Sequence, residues 1–224
     1  MIKNISNLGD AALYCDFGTE VNKQINYEVI KYFNTIRERN IKGINNLTPS
    51  YNKLIISYDL KVTNFKNIKD EIEKLNVSKM QKITNKNLEI PVCCHASFSL
   101  DIDRLEKKLS IKKSKILEIF FNKEFFCYMT GFIAGMPFLG DLDEKMRAER
   151  LETPRVKVPK GSVGMTEQFA NIYTFESPGG WNIIGNTPLE VFDSSKEKEP
   201  NLINPGDTIK FKQISLEEYK NYNE

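Results

Sequence analysis

The chain has 224 residues, of which 40% are hydrophobic and 28% charged, so a disulfide-stapled mini-protein and a disordered chain are both excluded. The 32 basic and 30 acidic residues are interleaved and give a net charge of +2, which indicates no surface for a nucleic acid. The longest uncharged run, Phe125 to Gly140, has 16 residues and is too short for a membrane span. Without a charged-then-apolar leader after Met1, we predict a cytoplasmic protein with no membrane partner.

Glycine and proline are concentrated in the second part of the chain. Nine of the 12 glycines lie between Gly131 and Gly206, and seven of the nine prolines between Pro137 and Pro205. A composition change of this size predicts two differently built domains.

The first part alternates between strand and helix patterns. In chain order, the apolar spacing predicts a strand over Ala11 to Phe17, a helix from Val21, strands over Ile41 to Leu47 and Lys53 to Leu60, a helix capped by Asn64, and a strand over Leu88 to Cys94. This order is typical of the split β-α-β repeat, in which two helices cover one face of a four-stranded antiparallel sheet. We therefore predict an α+β, ferredoxin-like domain over residues 1–95.

Cys93, Cys94 and His95 are adjacent at the end of the last predicted strand. Successive strand residues point to opposite faces, so the three side chains cannot hold one metal ion without a bulge. We favour two small buried cysteines over a metal site and predict no metal.

The second part begins with two predicted helices, Leu100 to Leu109 and a helix from Ile111 with Ser110 as its cap, which form a connection over residues 96–124. Short strands with turn residues between them are then predicted over Phe125 to Phe132, Ser162 to Met165, Asn171 to Phe175, Trp181 to Gly185, Leu189 to Phe192 and Thr208 to Ile214. This pattern predicts an all-β sandwich or barrel over residues 125–224.

Several ordered motifs in the second part resemble one protein family. They are the segment from Gly131 to Gly140, Thr153-Pro154-Arg155, the segment from Val158 to Gly164, Glu176-Ser177-Pro178-Gly179-Gly180-Trp181, and the segment from Ile184 to Leu189. Together with Leu8-Gly9-Asp10, Glu89-Ile90-Pro91-Val92-Cys93 and Pro205-Gly206-Asp207, these motifs resemble the B-type subunit of 5-oxoprolinase, a family also called allophanate hydrolase subunit 1. The family also includes a sporulation histidine-kinase inhibitor.

The resemblance implies a cyclophilin-like β-barrel after the N-terminal α+β domain. It also implies a small subunit of an ATP-dependent amide or lactam hydrolase, whose partners are a larger, cyclophilin-like C-type subunit of the enzyme together with its A-type subunit. Related domains in urea carboxylase help build the carboxyl-transfer site. The alternative is a non-catalytic module that binds and inhibits a sensor histidine kinase.

Hydrolysis of a phosphate-activated amide needs cations, backbone N–H groups and a carboxylate or bound water. Within the matching motifs, Arg155 is suited to clamp a phosphate or carboxylate, with Lys157 and Lys160 adding charge, and Glu176 is the best-placed acid. The predicted catalytic residues are therefore Glu176 and Arg155. The predicted substrate-binding residues are Gly161, Ser162, Ser177, Gly179, Gly180 and Trp181.

Structural roles compete with these assignments. Glycines in an all-β domain serve turns and bulges more often than ligands. Trp181 is equally suited to the barrel core, and Arg155 to a surface ion pair. Lys160-Gly161-Ser162 reverses the order of a Walker-type phosphate loop, so ATP is expected to meet another loop or a partner subunit. Glu167 to Asn171 also replaces the Gly-Gly-Gln-Thr-Gly segment usual in the family.

Overall fold

A computed structural model describes residues 1–76 and 85–223 and divides the chain into two compact units, Met1–Thr84 and Asn85–Glu224. The division lies before the strand at residues 87–93, whereas the sequence pattern predicts it after that strand, at residue 95. No helix among the described residues is long and apolar enough to cross a membrane.

The first unit is a four-stranded antiparallel sheet with two helices. Its elements are β1 (Asn4–Asn7), β2 (Ala12–Asp16), α1 (Lys23–Arg39), β3 (Ile44–Pro49), β4 (Lys53–Tyr58) and α2 (Phe65–Glu73), and the sheet order is β1-β2-β4-β3. Alternate residues of β2 and β4 are fully buried and share one core with apolar residues of both helices. The predicted cap is confirmed, because the Asn64 side chain accepts a hydrogen bond from the backbone N–H of Asn67.

The prediction that the strand at Leu88 to Cys94 is the fourth strand of this sheet is wrong. The segment expected at Leu88 to Cys94 is β5 (Asn87–Cys93), and it pairs with strands of the second unit. Its last four residues are all buried, as expected of a strand covered on both faces rather than of a sheet strand with one solvent face. The fourth position of the first sheet is taken by β1, a polar four-residue edge strand that the apolar pattern does not reveal.

The second unit is a closed seven-stranded barrel with added elements. After β5 come α3 (Ile102–Leu109), α4 (Lys113–Asn122), β6 (Glu124–Thr130), β7 (Pro137–Gly140), β8 (Arg155–Val158), β9 (Ser162–Thr166), β10 (Phe169–Ile172), β11 (Ser177–Gly179), β12 (Asn182–Asn186), β13 (Thr208–Ile214) and α5 (Leu216–Lys220). The barrel order is β10-β7-β6-β13-β5-β12-β9, and the β9–β10 pairing closes it. Strands β8 and β11 form a separate two-stranded sheet.

The helices predicted as a connection belong to the barrel unit and share its core. Leu105 of α3 and Ile116 and Phe120 of α4 are fully buried with the barrel residues, and the Phe120 ring stacks on Phe211 of β13 with centroids 5.0 Å apart. Ser110 does not cap α4. It ends α3 with φ of 55°, and α4 begins after Lys112.

Most of the predicted barrel strands are present, with two differences. The strand expected at Asn171 to Phe175 is β10, which starts at Phe169 and ends at Ile172. No strand is found at Leu189 to Phe192, where the described chain has only an isolated bridge between Phe192 and Asn201. The short strands β7, β8 and β11, of three or four residues each, were not predicted from the sequence.

The four cysteines are free thiols. Cys93 is buried at the end of β5, Cys94 is half-buried, and His95 is exposed with its Nδ1 atom 2.9 Å from the Ser97 hydroxyl. Over residues 1–76 and 85–223, no group of three His, Cys, Asp or Glu side chains is arranged to hold a metal ion.

Candidate functional site

Three of the predicted substrate-binding residues, Gly179, Gly180 and Trp181, lie together on a cavity of about 290 Å³ in the barrel unit. They follow one another at the end of β11 and the approach to β12. The other residues that line the cavity are Phe132, Met136, Phe138, Arg150, Thr166 and Tyr173.

Aromatic side chains form much of the cavity wall. The Trp181 and Phe138 rings meet edge to face, with centroids 5.5 Å apart and planes at 81°. Phe132 is 68% exposed, and its backbone has φ of 70°, a left-handed conformation that is uncommon for a bulky residue. Backbone strain of this kind is frequent at ligand sites, which agrees with the position of Phe132 at this cavity.

Tyr173 places a phenol at the same cavity, although its side chain is only 1% exposed. Burial raises the pKa of Tyr173, while hydrogen bonds with the Asn171 side chain and the Trp181 backbone and the nearby guanidinium groups of Arg150 and Arg155 act in the opposite direction. The phenol is therefore neutral at neutral pH and can donate a hydrogen bond.

The space beside this phenol depends on a glycine. A Cβ atom at Gly179 would overlap the Tyr173 hydroxyl group. Gly179 therefore permits a close approach between strand β11 and Tyr173, which is one of the uses of glycine that the sequence motif indicates.

Arg150 brings a positive charge to the cavity. A Cβ atom at Gly180 would lie 3.3 Å from both Nε and Nη2 of Arg150, so the absence of a side chain at Gly180 makes room for the guanidinium group. The backbone N–H of Leu151 donates to the Gly180 carbonyl oxygen at 2.7 Å, which holds the two segments together. Among the described residues, no carboxylate forms an ion pair with Arg150.

The predicted catalytic residue Arg155 lies on β8 outside the cavity lining and is engaged by a buried carboxylate. Its two terminal nitrogens reach the two Asp101 carboxylate oxygens at 2.9 and 2.6 Å, and the Asp101 side chain is only 4% exposed. The same carboxylate accepts a hydrogen bond from the Ile183 backbone N–H at 2.7 Å. Arg155 thus ties β8 to β12 and to the residue before α3.

The other predicted charged residues form exposed ion pairs. Glu176 accepts from the Lys157 ammonium group at 2.8 Å, and Lys160 pairs with Glu190 at 2.6 Å. The hydrogen bond with Glu176 raises the pKa of Lys157. Glu176 does not line the cavity that contains Gly179, Gly180 and Trp181.

These ion pairs bear on whether the three cations can bind the phosphates of ATP. The three cations expected around phosphate, Arg155, Lys157 and Lys160, each form an ion pair with a different carboxylate. These three residues therefore do not form a free cationic cluster for a triphosphate, and no step involving ATP is assigned to them.

The other predicted substrate-binding residues lie away from the cavity and have structural contacts: Gly161, Ser162 and Ser177. Gly161 has φ of 80°, its N–H donates to the Tyr173 carbonyl oxygen at 2.7 Å, and its own carbonyl accepts from Thr187. Ser162 is buried in β9, and Ser177 is buried in β11 with a hydroxyl that has no hydrogen-bond partner among the described residues. None of the three lines the cavity.

The segment that departs from the family pattern begins at the turn between β9 and β10. Glu167 and Gln168 form this two-residue turn, and Glu167 is exposed and has φ of 47°. Asn171 is fully buried in β10, where its side-chain oxygen accepts from the Gly164 N–H at 3.2 Å. The asparagine thus fills interior space beside Tyr173, while the turn itself reaches the surface.

Three residues of this region, Arg150, Tyr173 and Asp101, were not predicted from the sequence. Arg150 lies in a charged segment without periodicity, so its one usable signal was its position between two of the motifs, Gly131 to Gly140 and Thr153-Pro154-Arg155. Tyr173 and Asp101 carry no local pattern that separates them from ordinary core and helix-start residues.

Comparisons with known proteins agree over most of the chain. Residues 3–203 match the family model described as carboxyltransferase domain, subdomain C and D. The chain is similar to the B-type subunit of 5-oxoprolinase from Bacillus subtilis (strain 168), with 32% identity over 232 residues that cover 98% of this chain and 96% of that protein.

Two solved structures share the fold. TTHA0988 in space group P212121 has a TM-score of 0.82 at 24% identity, over 92% of this chain and 40% of that chain. K. lactis urea amidolyase has a TM-score of 0.79 at 20% identity, over 96% of this chain and 15% of that chain. This chain therefore spans less than half of either protein.

Proposed function

Because this chain belongs to the family of carboxyltransferase domains, subdomains C and D, we propose that it is the small subunit of an ATP-dependent amide or lactam hydrolase of the 5-oxoprolinase type. The observation that carries the proposal is the similarity to the B-type subunit of 5-oxoprolinase, which extends along nearly the full length of both chains. The partners are the larger, cyclophilin-like C-type subunit of that enzyme together with its A-type subunit, and the assembly works in the cytoplasm.

The cavity supports this proposal because its chemistry suits a small acid amide. Aromatic walls contact a planar amide, Tyr173 offers a neutral hydrogen-bond donor, and Arg150 offers a positive charge. ATP supplies the activation of the amide oxygen in the assembled enzyme. Since Arg155, Lys157 and Lys160 each pair with a different carboxylate, we assign the ATP site to a partner subunit.

The finer fold assignments are part of the same proposal. The closed barrel supports a cyclophilin-like second domain. The sheet of β1 to β4 with two helices supports a relative of the ferredoxin-like fold, in which β1 takes the edge position that a strand after α2 would otherwise fill.

The alternative function is a non-catalytic inhibitor of a sensor histidine kinase. Five large apolar side chains of the described barrel unit are exposed, and a protein-binding surface needs such side chains: Leu100, Phe132, Val156, Phe175 and Tyr222. The same side chains also suit a surface for the C-type subunit, so the assembly experiment separates the two functions.

The test is co-expression with homologues of the C-type and A-type subunits, followed by an assay for ATP-dependent release of glutamate from 5-oxoproline. We expect a stable complex whose activity disappears when this chain is omitted. A stable complex that releases no glutamate, together with inhibition of a histidine kinase by the chain alone, would establish the alternative.

The role of Glu176 is tested in the same assay. Glu176→Gln is compared with Glu190→Gln, since both carboxylates are exposed and each pairs with one lysine. A fall in kcat of tenfold or more in Glu176→Gln but not in Glu190→Gln would support Glu176 as the catalytic carboxylate. Equal rates in the two variants remove it from that role.

A further inference from the structure

Arg150 differs from the other cations near the matching motifs. Arg155, Lys157 and Lys160 each have a carboxylate partner within 2.8 Å, whereas Arg150 has none among the described residues. It is also the one of the four that lines the cavity. A guanidinium group presents parallel N–H donors that match a carboxylate, so an unpaired arginine at an aromatic-walled cavity is suited to an anionic ligand.

The size of the cavity limits the ligand. Its volume of about 290 Å³ lies at the lower end of the ~300–1,000 Å³ usual for ligand pockets, so it suits a small metabolite. Apart from Arg150, its lining is made of glycines, neutral aromatic rings, Met136 and Thr166, and the Thr166 hydroxyl donates to the Ala148 carbonyl oxygen at 3.1 Å. Arg150 is thus the one lining residue that carries a charge.

We propose that Arg150 binds the carboxylate of a small cyclic or planar amide acid in this cavity, with the amide part of the ligand against Trp181, and that Gly180 is required to keep the guanidinium group in place. The inference rests on the proposed function and names the residue that selects an acid over a neutral amide. Arg150 is a binding residue, and a lysine at this position would lose the paired donors.

The single tryptophan of the chain, Trp181, lies on the cavity and reports ligand binding by its fluorescence. The full chain is titrated with 5-oxoproline and with 2-pyrrolidinone, the same lactam without the carboxylate. We expect a saturable signal with 5-oxoproline and an at least tenfold higher Kd for 2-pyrrolidinone. The same titrations are repeated by calorimetry on the complex with the C-type subunit.

Three variants and one control test the assignment to Arg150. Arg150→Gln and Gly180→Ala are expected to raise the Kd of 5-oxoproline at least tenfold, Arg150→Lys is expected to raise it less, and the Kd of 2-pyrrolidinone is expected to stay unchanged. Arg147→Gln is the control, because Arg147 pairs with Glu144 at 3.8 Å and does not line the cavity. Matching thermal unfolding curves establish that each variant is folded.

The outcomes separate this inference from the proposed function. If the assembled enzyme is inactive but 5-oxoproline binds in an Arg150-dependent way, the proposed function fails and the carboxylate site stands. If neither the chain nor the complex shows Arg150-dependent binding, the inference is overturned. It is also overturned if Arg150→Gln weakens assembly with the C-type subunit while that partner excludes 5-oxoproline, since a partner carboxylate then fills the cavity.

Discussion

At the scale of single residues, two arginines five positions apart have different environments. Arg155 is fixed by the buried Asp101 carboxylate, whereas Arg150 lines the cavity with no carboxylate partner among the described residues. The sequence motif contains Arg155 and favours it as the functional cation. The contacts instead give Arg155 a positioning role between β8 and β12 and leave Arg150 available for a ligand.

Arg155→Ala is expected to lower the free energy of unfolding of the barrel unit by about 3 kcal/mol, because it leaves the Asp101 carboxylate buried without its counter-ion. The measurement is urea unfolding followed by Trp181 fluorescence. Lys157→Ala on the same strand is the control, since its exposed pair with Glu176 is worth only ~0–1 kcal/mol. Equal stabilities of the two variants would contradict the positioning role.

Residue-level prediction from sequence succeeds where the signal is local. The Asn64 cap follows from a polar side chain before an amphipathic run. The motif places Gly179, Gly180 and Trp181 together, and they line one cavity, while their role in substrate binding stays a prediction. The prediction for Ser110 is wrong because serine is a favoured cap residue, but the chain needs a left-handed end for α3 at that point. The Asp101–Arg155 pair joins residues 54 positions apart, so no local sequence pattern predicts it.

At the scale of elements, β5 shows why a strand is easier to predict than its sheet. The apolar run at Leu88 to Cys94 identifies the strand, but the pairing partner, β13, lies more than a hundred residues later. The parallel β5–β13 pair is in register over seven residues, from Asn87 with Thr208 to Cys93 with Ile214. Such long-range pairing depends on which faces are buried in the folded barrel, which the local pattern does not contain.

The barrel also depends on close contact between β12 and β5. A Cβ atom at Gly185 would lie 2.7 Å from a Val92 methyl carbon and 2.9 Å from the Cys93 carbonyl oxygen. Since the backbone oxygen cannot turn aside, Gly185→Ala is expected to destabilise the barrel unit by about 2 kcal/mol.

Gly131→Ala is the matched control for Gly185→Ala. Its added Cβ atom would meet the flexible end of Met129 at 2.9 Å, which can move, so a change below about 0.5 kcal/mol is expected. Urea unfolding of both variants, followed by Trp181 fluorescence, measures the difference. A Gly185→Ala variant as stable as the control would show that β12 and β5 can separate without cost.

At the scale of the whole molecule, two units have separate cores, as the glycine and proline distribution suggests. The composition change nevertheless lies inside the second unit rather than at its start. The first elements of that unit, β5, α3 and α4, contain a single proline and no glycine, because strands and helices avoid both residues. Turn residues mark the tight connections of the barrel, and for this reason they indicate a boundary later in the chain than the structural one.

Buried thiols and a phenol give the barrel unit an asymmetric dependence on pH. Burial raises the pKa of Cys94 from 9.0 to about 12, and burial also raises the pKa values of Cys127 and Tyr128. A raised pKa means that the folded state retains protons that the unfolded state has lost. The contribution of the thiols to the free energy of unfolding is therefore fully present below the unfolded thiol pKa of 9.0, and it decreases as the pH rises above that value.

On the acid side, three carboxyl groups of the described barrel unit have lowered pKa values, and each is exposed or partly exposed. They are Glu149, held by Lys108, Asp193, held by Ser195, and Glu218, held by Ser215, and their contributions are lost only as the pH falls below the ordinary carboxyl range. Exposed groups of this kind contribute little, so the acid limb of the stability curve is expected to be shallow.

We expect the barrel unit to keep its stability between about pH 5 and pH 8 and to lose about 1.4 kcal/mol for each of the Cys94 and Cys127 thiols by about pH 10, one unit above the unfolded thiol pKa. Urea unfolding followed by Trp181 fluorescence under reducing conditions measures the loss. Cys94→Ser removes one titrating group, so the difference between pH 7 and pH 10 should shrink by about 1.4 kcal/mol. Equal unfolding free energies of the parent chain at the two pH values would contradict this prediction, because they would mean that the thiols titrate alike in the folded and unfolded states despite their burial in the barrel.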